Sequence, residues 1–281
     1  MIRVVKQLAG LFVLCALLPA QAVFAQAGAG QGLVRRLMDA SGVSAQLRAA
    51  AKSVADEIGQ ARESVPDNLR VALSEAAQEG FGAEAMLADV ERELPRALSA
   101  DEMQAAIAWL ETEAGRRVTR AEEAASQTMD SPQFQEYQRS LKDKPLPAAR
   151  AQLLGELIES SDAVDFSVKV AQATAFGVAI GMNSARPREN RMSAELLRQR
   201  IEVAMAREDL AGEMAQALPR LYAFTYRDTS DADLGAYAAF LKTPAGSRYV
   251  KAFNEVMLKT IAAASYRTGS LIDERASRVR A

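Results

Sequence analysis

The 281-residue chain has no histidine and a single cysteine, Cys15. Without an imidazole, the Ser-His-Asp triad, the Cys-His pair and the usual zinc ligand sets are excluded. Ser-x-x-Lys and Gly-x-Ser-x-Gly are both absent beyond the N-terminal leader, which removes the serine-lysine and elbow-serine hydrolases. No glycine-rich run ends in Lys-Ser or Lys-Thr, so there is no phosphate-cradling loop. No cofactor is expected. Basic excess is lacking too: 34 Lys and Arg against 36 Asp and Glu give a formal charge of -2, not the footprint of a nucleic-acid binder. Aromatics are only 6% of the residues, and no stretch alternates with period two, so strands are not expected.

The N-terminus carries Arg3 and Lys6, an apolar run from Leu8 to Leu18, Pro19 and the small residues of "AVFAQA". This is the layout of a secretory signal peptide, with Val23 and Ala25 fitting the small-x-small rule, and cleavage is expected after Ala25. The apolar run is well short of the roughly 20 residues a spanning helix needs. Cys15 lies inside it, without the small residues that precede a lipidated cysteine, and leaves with the leader. The mature chain is therefore expected outside the cytoplasm, periplasmic or secreted. It has no disulfide and no stable membrane span, and is held by core burial alone.

The apolar spacing is helical almost throughout. Leu47, Ala50, Ala51, Val54 and Ile58 share one helix face. Ser64 and Pro66 restart the chain, Leu69, Ala72, Leu73 and Ala76 continue it, and Gly80-Phe81-Gly82 breaks it. Met86, Leu87, Val90 and Leu94 form a further stripe that is expected to stop at Pro95, and Ser131 with Pro132 opens a short helix. The fold class read from this is all-α, a compact helical domain built from two related multi-helix repeats. The organisation expected is a leader at 1–25, a flexible lead at 26–32, a first helical repeat with a Pro-containing linker at 33–147, a second repeat at 148–272 and a polar tail at 273–281.

The repeats are read from one constant offset that needs no gap. Ser99 matches Ser230, Leu110 matches Leu241, Thr112 matches Thr243, Gly115 matches Gly246 and Arg117 matches Arg248. Met103, Ala106, Ile107 and Leu110 match Leu234, Tyr237, Ala238 and Leu241, so both copies should bury the same face. Each copy opens with a capped start, Ser99-x-x-Glu102 or Ser230-x-x-Asp233, and meets a second start at Thr112 or Thr243, followed by Pro244 in the later copy. Weaker similarity joins "LMDASGV" at Leu37 to "LIESSDA" at Leu157.

The capped helix, the pairs Trp109-Leu110 and Phe240-Leu241, and "KTPAGSRY" resemble the bacterial exported family catalogued as domain of unknown function twenty fifty-nine. "ETEAGRRV" departs from its pattern, with Glu113 in place of Pro. The resemblance implies a compact helical domain outside the cytoplasm and implies no activity.

Gly115, Arg117, Thr243, Pro244, Gly246 and Arg248 are the candidate motif residues. An amide near Gly246 with Arg248 beside it suits an anion; a glycine there equally suits close packing at a helix joint. Phe166, Val170 and Ala173, on the most apolar mature segment, are either the wall of an apolar pocket or part of a buried central helix with Gly177 and Gly181. "DTSDAD" at Asp228 lacks the trailing glutamate of a calcium loop and reads as helix capping. Arg186, Arg188, Arg191, Arg198 and Arg200 alternate with Glu189, Glu195 and Glu202, as on a solvated helix start. Paired carboxylates leave a glycan hydrolase open. The classes carried forward are an envelope interaction module, a carrier of a lipid or small apolar ligand, and that hydrolase.

Overall fold

The computed structural model describes residues 29–60, 67–128, 131–184, 186–206 and 209–280. Among them the regular elements are helices, with no strand. The first half contains α1 (Ala29–Ala40), α2 (Val43–Gln60), α3 (Asp67–Gly80), α4 (Ala83–Ala97), α5 (Ala100–Leu110) and α6 (Glu113–Ser126). After α7 (Pro132–Asp143) come α8 (Ala148–Ser160), α9 (Ala163–Ser184), α10 (Ala194–Ala206), α11 (Leu210–Thr225), α12 (Asp231–Leu241) and α13 (Pro244–Arg280). The expected leader and its cleavage site, Cys15, and the restart at Ser64 and Pro66 lie outside the described residues, as do the side chains of Val54, Ile58, Leu69, Ala72 and Leu73.

α1 rests on α5 and α4, and α8 rests in the same way on α12 and α11. α2 lies against α3 and α4, and α9 against α10 and α11. The last helix of each half then crosses over: α6 reaches α11 and α12, while α13 runs along α9 and onto α3, α4 and α5. Two bends adopt left-handed backbone, Gly42 at φ 60° between α1 and α2 and Asp162 at φ 52° between α8 and α9. A left-handed residue there costs glycine little and aspartate more.

One core joins the helices. Leu37, Leu47, Met86, Leu94, Ile107 and Leu110 meet Leu157, Leu218, Leu234 and Met257, all essentially inaccessible. In α5 the expected face, Met103, Ala106, Ile107 and Leu110, is buried; in α12 Leu234, Ala238 and Leu241 are buried and Tyr237 half-buried. Three expectations change. Gly30 and Gly32 belong to α1 and not to a flexible lead, because Val34, Leu37 and Met38 dock that helix and outweigh the glycines' entropic cost. Pro95 does not stop α4, which runs on to Ala97; α11 likewise carries Pro219 inside. Each proline leaves one carbonyl four residues back without its helical donor, at Glu91 and Ala215, where neither residue is buried. The polar end at 273–280 is the continuation of α13.

Candidate functional site

The two bends are built alike. Thr112 Oγ1 accepts from Gly115 N at 3.0 Å and donates to Trp109 O at 2.7 Å; Thr243 Oγ1 accepts from Gly246 N at 3.0 Å and donates to Phe240 O at 2.6 Å. Pro244 fills the first helical position, whose amide would have no partner. Both glycines are sterically required. A Cβ at Gly115 would sit 2.4 Å from Trp109 O, and one at Gly246 2.1 Å from Phe240 O. The amide of Gly246 is already held by Thr243, so it is not free to bind an anion.

The arginines that follow the two bends each reach the helix before the other bend. Arg117 Nε and Nη2 each lie 2.9 Å from an oxygen of Asp233, the third residue of α12. Arg248 Nε lies 2.9 Å from Glu102 Oε1, the third residue of α5, and its Nη2 donates to Ala97 O. Arg117 holds the Asp233 carboxyl below its ordinary range, helped by the Ser230 hydroxyl at 2.7 Å. Glu102 is held down first by the Ser99 amide at 2.8 Å, then by Arg248. Trp109 of α5 stacks on Phe240 of α12, centroids 4.5 Å apart and planes 6° apart, and on Tyr237 at 5.0 Å. Gly115, Arg117, Thr243, Gly246 and Arg248 thus bind the chain to itself.

Beneath this joint lies an acid that the sequence reading missed. Tyr226 Oη donates to Glu122 Oε1 at 2.5 Å, and both residues are 2% exposed. Burial pushes the Glu122 carboxyl up to about 8, against the pull of Tyr226. Burial also raises its neighbour Glu123, to about 7. Tyr222, edge-on to Tyr226, meets the Ser161 hydroxyl at 3.0 Å. The remaining acids of "DTSDAD" face cations: Asp228 pairs with Arg227 at 3.4 Å, and Asp231 with Arg150.

The apolar candidates divide. Phe166 and Val170 are core residues, 4% and 0% exposed, whereas Ala173 helps to floor a groove between α9, α10 and α13. The groove is open, with a volume of about 390 Å³. Ala173, Phe176, Ile201, Leu258 and Ala262 supply its apolar surface, and Lys169, Arg198, Lys259, Gln172 and Glu202 its polar one. Arg198 lies over the Phe176 ring at 5.1 Å and pairs with Glu195 at 3.0 Å. The floor is fixed by close backbone approach: a Cβ on Gly181 would stand 2.3 Å from Tyr266 O, and one on Gly269 2.2 Å from Val178 O. α9 is, among the described residues, the one helix long and apolar enough to cross a membrane by length and composition. Its Gly177 and Gly181 face lies on α13.

The connection from α9 to α10 is pinned by Asn183, which donates to Met192 O at 2.8 Å and accepts from Met192 N at 2.9 Å. It carries Arg188 and Glu189 in a single 3-10 turn, with Arg191 bonded to Arg186 O at 2.8 Å.

Residues 84–143 match the family model described as an uncharacterized protein conserved in bacteria (DUF2059). The matched stretch runs from α4 through α7 and includes "ETEAGRRV", the copy that departs from the Pro-containing pattern, and not "KTPAGSRY". No curated protein and no solved structure matches the chain. The DUF2059 stretch contains Glu102, Trp109, Arg117 and Glu122, so one side of the joint and the buried acid fall within it.

Proposed function

We propose that the chain is an exported, non-enzymatic binding module of the cell envelope, made of two related halves that meet across a pseudo-two-fold joint, with recognition at the α9, α10 and α13 groove. The exchange of Arg117 and Arg248 supports the two halves, because each arginine reaches the acid near the start of the other copy. The observation that carries the binding reading is a contrast. The polar groups of the joint are committed to one another, while the groove stays open over apolar side chains. Glu202 is the one carboxylate among the groove's lining residues, so two-acid glycan chemistry has no second acid there.

The mildly acidic charge and the N-terminal leader pattern support an envelope location. A second reading, a carrier of a lipid or small apolar ligand, is favoured by Ala173, Phe176 and Leu258 on one floor. Native mass spectrometry of the purified mature protein tests both. A retained lipid supports the carrier, and a defined complex with another envelope protein supports the interaction module. A bare monomer that binds neither counts against both.

A further inference from the structure

α3 and α10 hold the same place in the two halves, each preceding the helix that starts at Ala83 or Leu210. α3 is covered by the later part of α13. A Cβ on Gly80 would lie 2.1 Å from Thr268 Oγ1, Ala76 and Ala77 are 0% exposed, and Arg275 stands 3.8 Å from Glu75 and pairs with Glu79. The counterpart of α13 is α6, but α6 ends at Ser126 and the chain turns into α7, which packs on α11. Among the described residues α10 therefore receives no such cover, and its extensive helix contact is with α9.

Counted from Ala83 and Leu210, Val203 and Ala204 replace Ala76 and Ala77, and Glu202 replaces Glu75. Where the alanines are sealed, Val203 is 47% exposed, and Leu196, two turns earlier on the same side, is 39% exposed. An open groove lined by Arg198 and Glu202 lies to one side of this stripe, and Val203 itself lines a second depression with Gln199 and Arg200, which share the stripe's face. We propose that this uncovered face of α10 receives an amphipathic helix from a partner protein, packed as α13 packs on α3. It would turn small and apolar residues toward Leu196 and Val203 and bring a basic residue to Glu202.

The inference rests on the two-half reading of the fold. A second copy of the chain, paired antiparallel through α10 so that Leu196 meets Val203, is the competing occupant, and the sedimentation test below separates it from a partner helix. Leu196 and Val203 are not among the residues that line the groove, so an acyl chain held there would leave them uncovered.

The full mature chain is titrated with a fluorescein-labelled peptide of residues 258–280, the segment that covers α3, and binding is read by anisotropy. Saturable binding is expected, weakened roughly tenfold or more by Val203→Glu and also reduced by Glu202→Arg. Val71→Glu, on the exposed side of α3, should leave it unchanged. Absence of saturable binding, or binding indifferent to Val203→Glu, overturns the proposal. So does a dimer in sedimentation velocity that Val203→Glu abolishes, which would assign the face to a second copy. A lipid retained in the groove together with no peptide binding overturns the helix and leaves the binding reading standing.

Discussion

Arg117 grips both oxygens of Asp233 at 2.9 Å, and Arg248, five residues past Thr243 as Arg117 is past Thr112, reaches Glu102, the third residue of α5 as Asp233 is of α12. The two pairs are not equal. The Asp233 side chain is 10% exposed against 34% for Glu102, so breaking its pair leaves the more buried charge behind. Arg117→Met is expected to lower the Tm by more than Arg248→Met does. Because Arg117 holds the Asp233 carboxyl below its ordinary range, this contribution is present above the unfolded pKa and is lost as pH falls through the folded one. Melts of both variants at neutral pH and near pH 3 should show the Arg117 deficit shrinking in acid. A deficit that is constant with pH would mean that Arg117 acts by packing alone.

The bend glycines predict opposite signs for one substitution. Gly115→Ala and Gly246→Ala each drive a methyl into a backbone carbonyl that cannot yield cheaply, and should cost about 2 to 3 kcal/mol. At Gly155 in α8 and Gly235 in α12 nothing lies within 4 Å of an added Cβ. Alanine there should stabilise by about 0.5 to 1 kcal/mol, since a helical glycine loses the most freedom on folding. Urea unfolding of the four variants checks both signs.

What could be read before folding was whatever a helix or a bend decides locally. The caps at Ser99, Thr112 and Thr243, the break at Gly80 and the buried faces of α5 and α12 each depend on residues a few places apart. Trp109 and Phe240 were visible as matching positions, yet that they stack on each other depends on how two helices cross. Glu122 was indistinguishable from the surface acids around it. Its burial comes from Tyr226 and Tyr222, far along the chain at the end of α11, and the residue at the same offset in α13 is Phe253, so sequence spacing gave no hint of it. The groove was legible only through Ala173, since Phe176, Ile201 and Leu258 come together from three helices.

Asp162 holds a left-handed bend without a glycine. It adopts φ 52° at the bend where the first half has Gly42 at φ 60°. The left-handed region costs a residue with a Cβ roughly 1 kcal/mol, less for aspartate than for most. Asp162→Gly should therefore be neutral or stabilising by up to about 1 kcal/mol, and Gly42→Ala destabilising by at least as much. Thermal melts of the two variants, made in the same background, compare the two bends directly.

Glu122 is the group whose ionisation the fold opposes most directly. Its carboxyl, raised by burial to about 8 from an ordinary 4.5, is protonated in the native state at neutral pH and ionised in the unfolded one. A folded pKa above the unfolded one means full stability below about pH 4.5 and progressive loss as pH rises to about 8, on the order of 5 kcal/mol in total. Glu122→Gln keeps an acceptor for the Tyr226 hydroxyl but cannot ionise, so its advantage over wild type should grow from pH 5 to pH 8 and then level off. Tyr226→Phe removes the hydrogen bond that lowers the Glu122 pKa, and should move the wild-type loss to still higher pH. Urea unfolding across pH 5 to 9 measures all three proteins. A glutamine variant whose stability difference from wild type does not vary with pH would show that Glu122 is ionised, or solvated, in the folded chain.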